Sequence, residues 1–408
     1  MLNGVKAAFV LASFAAAFVG ANAQPTYVVR VGLVSHGQTT EFSVTSPTQF
    51  AVYDARSQRR LGVYRPNSSI TIRRSADGLV SVAGTTVSAA YVASESSILG
   101  LTGPKFSRRY RGWLFFGSSG GSLYAINEIP LEEYLQGVLP CEMSPSSPAE
   151  ALKAQAVAAR SYTVRKIGHF KDQPYDVDDT VRTQAYFGME KEDPRSTAAV
   201  QATRRQILFY NGAVVNAIYG AVSGGQTENC HEVWGGSPVP YLMSFPDVDE
   251  RGRPYAEGAR LMTWSTAYSQ HEFEELLRAG GYSLGSVVEV WIAETTSSGR
   301  VASVRIVGTH GEATIRANDL RWVLGIDRLR STWFNVGKTA VGWEFAGRGW
   351  GHGVGMCQEG AKGRALAGQS YLQILGAYYP GTELRIVQGD PLALATRGSI
   401  VDRKRGGR

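Results

Sequence analysis

Between residues 24 and 109 the apolar positions follow strand rather than helix habits. Runs such as Tyr27 to Val34 and Ser69 to Ile72 are rich in β-branched residues and are bounded by Gly, Ser and Asn turns. Helical periodicity is missing until about residue 130, so this stretch predicts a β-rich N-terminal region. Ser122 to Asn127 reads as one more strand, followed by a short helix from Leu131 to Val138. Glu132 and Glu133 sit at the positive end of that helix, and Pro140 is expected to stop it. Cys141 and Glu142 would then lie on a connection.

The next helix starts more clearly. Ser147, Pro148 and Glu150 make a capping-box pattern ahead of an Ala-rich run from Ala149 to Lys166. Strands return at Ile207 to Tyr210 and Ala213 to Tyr219, around the hairpin signal Asn211-Gly212. Gln270 to Ala279 reads as a helix. Ser286 to Val307 reads as a strand pair turning at Ser297-Ser298-Gly299, and Arg316 to Leu324 as a helix. From Gly347 to Gly355 every odd position is Gly. An extended chain there would present one face without side chains, open to a neighbouring backbone or a ligand. A helix from Cys357 to Leu366 follows, then a second capping-box pattern at Ser370 and Gln373 before Tyr371 to Tyr379.

Together these elements predict an α+β fold. A signal peptide (1–23) precedes a β-rich region (24–110), a mixed α+β domain (111–388), and a basic, disordered tail (389–408). The signal rests on Lys6, the apolar run Ala7 to Val19, and Ala21-Asn22-Ala23 as a cleavage pattern. The run is short for a membrane span. The expectation is therefore an exported protein, in the periplasm or cell wall, with no membrane span after cleavage near Ala23.

Charge narrows the partners. The 408-residue chain carries a formal net charge of +7, which suits acidic polymers outside the cytoplasm. Lys and Arg are scattered rather than gathered on one helix, which argues against nucleic acid. Three cysteines, Cys141, Cys230 and Cys357, permit one disulfide or none.

Several chemistries fail on spacing. The odd-position glycines never form a dinucleotide fingerprint, and no phosphate-binding P-loop occurs. Cys230-His231 and His352 with Cys357 lack the paired spacing of a structural zinc site. Ser223 and Cys357 are candidate nucleophiles with no His placed by sequence to activate them. Carboxylates remain, and Glu142 is one candidate among several. Burial in a partly apolar cleft would raise its pKa toward that of a general acid, while a helix N-terminus would lower it. Glycosidases normally pair two carboxylates. Asp176, Asp178, Asp179, Glu228 and Glu359 are the candidates for a second, and spacing selects none.

The order of segments adds a resemblance. Leu131 to Val138, Glu142-Met143 and Glu150 to Tyr162 come first. Ser223 to Glu228, Val233-Trp234-Gly235 and Pro240-Tyr241-Leu242 follow, then Gly347 to Gly355 with Gln358, Gly360, Ala361 and Tyr378 to Thr382. This series, covering residues 28 to 387, closely resembles the stage II sporulation protein D / LytB family. The resemblance implies a peptidoglycan lytic transglycosylase that cleaves the MurNAc–GlcNAc bond and leaves 1,6-anhydro-MurNAc ends. Glu142 would be its only acid/base, acting without cofactor or metal, and sporulation members prefer glycan stripped of stem peptides. It further implies that residues 111–388 are a mixed α+β catalytic domain with a glycan-binding cleft, in which Gln155, Arg160, Tyr162, Ser223, Gly224, Gly225, His352 and Gln358 bind the glycan. Some members bind zinc through Cys and His after the long helix; here that segment, Asp178 to Tyr186, has neither. The same family name also covers enhancers of an N-acetylmuramoyl-L-alanine amidase, so the alternative is a non-catalytic wall protein partnered with a cell-wall amidase.

Overall fold

The computed structural model describes residues 27–388 apart from 83 and 169–171. The expected signal peptide and the basic tail lie outside the described residues. Two compact units divide the chain. One comprises residues 27–134, Ile167–Thr183 and 386–388; the other comprises Leu135–Lys166 and Gln184–Arg385.

The first unit is built from β1 (Val28–Gly32), β2 (Glu41–Thr45), β3 (Phe50–Asp54), β4 (Arg60–Tyr64), β5 (Ser69–Arg74), β6 (Val80–Val82), β7 (Thr85–Val87), β8 (Ala89–Ser94), β9 (Ile98–Thr102), β10 (Ser107–Arg111), β11 (Trp113–Ser119), β12 (Ser122–Pro130) and β13 (Val177–Asp178). They form a seven-stranded sheet, β13-β1-β12-β11-β8-β3-β4, and a six-stranded sheet, β10-β9-β2-β5-β6-β7. Neighbours are antiparallel except β1 and β13. Alternate residues of β1, β5 and β8 are buried, as a sheet with one covered face requires. Phe42 of one sheet meets Phe116 of the other at 5.7 Å between ring centroids, inside a core that includes Val31, Val44, Ile72, Val92 and Leu101. The β-rich N-terminal region expected from sequence is therefore present.

The second unit is organised on the helix Ala149–Lys166, which has the bounds read from sequence. Ala151, Ala154, Ala156, Ala158 and Ala159 are fully buried. Their small side chains let the helices Pro194–Ala202, Gln358–Leu366 and Tyr371–Tyr378 and the strand β14 (Gln206–Tyr210) pack on several of its faces. The turn after β14 places Asn211 and Gly212 at φ 48° and 80°, the conformation a two-residue hairpin needs before β15 (Ala213–Val214). β16 (Tyr219–Gly220) comes next.

Residues 263–348 of this unit add β17 (Thr263–Ser269), β18 (Val287–Thr295), β19 (Val301–Gly308), β20 (Gly311–Arg316), β21 (Phe334–Lys338) and β22 (Gly342–Arg348). They pair as β17-β22-β21 and β18-β19-β20. With the helices Gln270–Ala279 and Ala317–Leu324 they enclose a core of their own that includes Phe273, Val304, Ile306, Leu320 and Phe345. β23 (Met356–Cys357) runs parallel to β16, and β24 (Glu383–Ile386) flanks β14. Strand content of 37% against 24% helix, in several separate sheets, makes the chain α+β. Among the described residues no helix is long and apolar enough to cross a membrane.

Three local expectations change. The first helix does not stop at Val138: it runs Leu131–Glu142 with Pro140 inside it. Proline removes one rung of the ladder, and the turn continues beyond it, with Met143 N–H on the Leu139 carbonyl at 2.9 Å and the Cys141 thiol on that of Gly137 at 3.1 Å. Glu142 is thus the last residue of a helix rather than part of a free connection. The capping box at Ser147 does not form either, because Glu150 is engaged elsewhere. Its carboxylate takes Lys153 Nζ and the Tyr371 N–H, both at 2.7 Å, and Ser147 Oγ has no partner. The box at Ser370 and Gln373 does form. Finally, the glycine-alternating segment is not a flat strand. Gly349, Gly351, Gly353 and Gly355 have φ of 80°, 107°, 79° and 72°, so alternate residues turn left-handed, which a side chain would disfavour.

Candidate active site

Glu142 ends its helix with part of its surface still exposed while the carboxyl group lies deep in protein. Oε1 accepts the Ala185 N–H at 2.7 Å. Burial raises its pKa from 4.5 to about 7, against the opposing pull of the Ala185 N–H and of a hydrogen bond from the Gln358 side chain. Near neutral pH it therefore exists as both acid and carboxylate, as a general acid/base requires.

Gln358 opens the helix Gln358–Leu366, and its Nε2 also donates to Gln155 Oε1 at 3.3 Å. Cys357 caps that helix: its Sγ accepts the Gly360 N–H at 3.2 Å and the Ser223 N–H at 3.1 Å. Glu142, Gln358 and Gln155 thus form one group, and the Ser223-Gly224-Gly225 turn is tied to the same helix start.

A buried acid steadies that turn. Asp247 accepts Ser223 Oγ at 3.2 Å, Tyr378 Oη at 2.9 Å and Arg364 Nη2 at 3.0 Å, while its own N–H donates to the Gly225 carbonyl at 3.0 Å. Gly224 and Gly225 have φ of 77° and 98°. The glycine-alternating segment packs against residues leading into this turn. A Cβ on Gly349 would stand 2.8 Å from the Val222 carbonyl oxygen, and one on Gly355 2.0 Å from that of Ile218. On Gly353 it would meet Arg300 Nη2 at 2.5 Å. The bare positions at these three glycines are thus filled by protein.

His352 takes a structural part in this packing. Its Nδ1 accepts the Val354 N–H at 3.0 Å, the ring donates to the Tyr219 carbonyl, and Trp234 covers it at 5.0 Å between centroids. Burial first, then the Arg321 and Arg300 charges, hold its pKa down at about 3, so it is neutral. Tyr219 connects back toward Glu142. Its Oη accepts Gln184 Nε2 at 2.8 Å, and Gln184 precedes Ala185. Tyr162, half-buried, meets Tyr219 edge-on at 6.2 Å.

Arg160 is not brought to this group. It is fully buried, with its guanidinium on the carbonyls of Val200 at 3.2 Å and Gln206 at 3.3 Å, where it staples the Ala-rich helix to its neighbours. The other carboxylates have local partners. Glu228 accepts Thr296 Oγ1 at 2.6 Å and Ser298 Oγ at 2.7 Å, and Glu359 pairs with Lys362 at 2.6 Å. In the first unit Asp176 accepts the Arg30 N–H at 3.0 Å, Asp179 the Ser35 N–H at 2.9 Å, and Asp178 the Thr180 N–H at 2.9 Å. All three cysteines are unbridged thiols. Among the described residues no group of three or more His, Cys, Asp or Glu is placed to hold a metal ion.

Sequence reasoning missed Ala185, Asp247 and Arg364. Ala185 acts through its backbone, which no side-chain pattern announces. Asp247 and Arg364 are distant in sequence and meet only in the folded chain. Their one signal was that Arg364 sits two turns into the helix that begins at Gln358.

These features describe an α+β protein in which the buried carboxyl of Glu142 is poised near neutrality. Residues 119–210 match the family model described as Stage II sporulation protein, and residues 253–355 match a domain of unknown function. The chain is 33% identical over 276 residues to Stage II sporulation protein D of Bacillus subtilis, spanning 64% of this chain and 76% of that one. It is 32% identical over 289 residues to the amidase enhancer of the same species, covering 61% of this chain but 40% of the relative. An uncharacterized protein of Brachyspira hyodysenteriae is 36% identical over 276 residues, 67% of this chain and 72% of that one. The chain belongs to the stage II sporulation protein D / LytB family.

Proposed function

We propose that the protein is an exported peptidoglycan lytic transglycosylase that cleaves the MurNAc–GlcNAc bond with Glu142 as its acid/base. The observation that carries this reading is the Glu142 carboxyl, raised to about 7 by burial and held by the Ala185 N–H at 2.7 Å. In the first step neutral Glu142 gives its proton to the glycosidic oxygen as the C1–O bond breaks. In the second the resulting carboxylate takes the proton of the muramyl 6-hydroxyl as its oxygen bonds to C1. The product is a 1,6-anhydro ring, no water is consumed, and Glu142 returns to its acid form. One carboxyl suffices, which accords with the local partners of every other candidate carboxylate. Burial favours the acid needed first, and the two hydrogen-bond donors favour the carboxylate needed second.

Tyr162 and the backbone of Ser223-Gly224-Gly225 are the proposed glycan contacts. Gln155, Gln358 and His352 support the site through the bonds described above. The second reading, a partner that enhances a cell-wall amidase, is favoured by the amidase-enhancer relative. Incubating glycan with the protein alone, and with an added amidase, separates the two. Anhydro ends formed by the protein alone support the lytic reading; faster stem-peptide release with no glycan cleavage supports the enhancer.

A further inference from the structure

We propose that Arg348, stacked on Trp333 beside the Ser223-Gly224-Gly225 turn, binds a carboxylate of the wall polymer. The proposal deepens the reading of that turn as a glycan contact and rests on it.

Arg348 ends β22, and its backbone is fixed at both ends. Its N–H donates to the Trp333 carbonyl at 3.0 Å, and its own carbonyl accepts Ser331 Oγ at 2.7 Å. The residue is exposed, yet its guanidinium carbon lies over the Trp333 ring, 3.4 Å from the centroid. Stacking occupies one flat face of a guanidinium and leaves the N–H donors at its edge, in the fork that matches a carboxylate. Among the described residues those donors have no hydrogen bond and no ion pair. The turn stands close by: a Cβ on Gly224 would lie 3.3 Å from the Trp333 ring and 3.4 Å from Arg348 Cγ.

The surroundings are positive. Arg300, wholly buried, lies 5.0 Å from the centre of the same ring. Its Nη2 donates to the Ser223 and Gln226 carbonyls, while Nε and Nη1 have no partner. Glu228, two residues beyond Gln226, is taken up by the Thr296 and Ser298 hydroxyls. Arg330 adds a third cation, 5.8 Å from the centre of the Trp350 ring, and Trp350 exchanges backbone hydrogen bonds of 2.9 and 3.0 Å with Val222, the residue before the turn. Like charges gathered without an acid to pair them repel, and a bound anion relieves that repulsion. The wall polymer carries such an anion. Each muramyl residue of a bare strand bears a free lactyl carboxylate; a stem peptide turns that group into an amide and brings carboxylates of its own.

The test measures binding of end-labelled soluble strands to full-length Glu142→Gln protein by fluorescence anisotropy, so the strands stay intact. Bare and stem-bearing strands are each used as they are and with every carboxylate capped as a methylamide. Adding Arg348→Gln should weaken binding of carboxylate-bearing strands by about tenfold at low salt and leave capped strands unchanged. High salt should shrink the difference, and Arg348→Lys should fall between, keeping the charge without the fork. A loss on bare strands identifies the lactyl carboxylate as the ligand, and a loss on stem-bearing strands identifies the stem. Equal affinity with and without Arg348→Gln, or an equal loss on capped strands, overturns the proposal. Should Arg348→Gln not fold, a protein that binds capped and uncapped strands of both kinds alike decides against it. Binding needs no turnover, so absence of anhydro product from the native protein would remove the lytic reading and leave Arg348 to be judged by affinity.

Discussion

Replacing Glu142 by Gln should alter stability in a pH-dependent way that follows from its burial. The carboxyl's pKa rises from 4.5 in the unfolded chain to about 7 in the folded one. Below pH 4.5 both states hold the proton and the residue contributes no pH-dependent term. Between 4.5 and 7 the folded protein binds more protons than the unfolded chain, so stability falls as pH rises, and above 7 the loss is complete. At about 1.36 kcal/mol per pH unit, the rise implies that Glu142 costs the second unit roughly 3 kcal/mol at pH 8 relative to pH 4. The substituted carboxamide would not titrate, yet its oxygen can still accept the Ala185 N–H. Thermal unfolding of both proteins at pH 4 and pH 8 gives the comparison. The variant should gain on the native protein by about 6–12 °C more at pH 8 than at pH 4, for a unit of this size. An equal difference at the two pH values would refute the burial argument and leave Glu142 an ordinary surface carboxylate.

Asp247→Ala should destabilise the second unit by about 3–5 kcal/mol in denaturant unfolding, since it strands buried Arg364 and the Tyr378 hydroxyl. Gly355→Ala should cost about 3 kcal/mol or more, because φ is 72° and the new methyl would lie 2.0 Å from the Ile218 carbonyl oxygen; the same denaturant assay reads it. Burial holds the Cys357 thiol up at about 12 and raises that of Cys230. Alkylation of the native protein near neutral pH should accordingly mark half-exposed Cys141 and spare the other two until unfolding, as peptide mapping would show.

Much of this fold was legible because local chemistry set it. The Ala-rich helix, the Asn211-Gly212 hairpin, the helix Gln270–Ala279 and the Ser370–Gln373 box each depend on residues within a few positions of one another. Failures came where distant partners intervened. Glu150 fits a capping box by spacing, but the N–H of Tyr371, 221 residues away, claims its carboxylate. Pro140 reads as a stop, yet a proline near the end of a helix costs only the rung it cannot make. The alternating glycines suggested one bare face, whereas their backbone takes left-handed turns that bring it against Val222, Ile218 and Arg300. At the site, residue type left Glu142 one of several carboxylates, and the resemblance singled it out. The Ala185 N–H that holds it, and the Asp247 network behind the Ser223 turn, are contacts across the chain that no spacing reveals.

The most direct measurement is mass spectrometry of purified glycan strands, with and without stem peptides, after incubation with the native protein and with Glu142→Gln. The account predicts strands ending in 1,6-anhydromuramic acid from the native protein and none from the variant, with both binding glycan equally. Intact strands from the native protein, or anhydro ends that persist in Glu142→Gln, would contradict it.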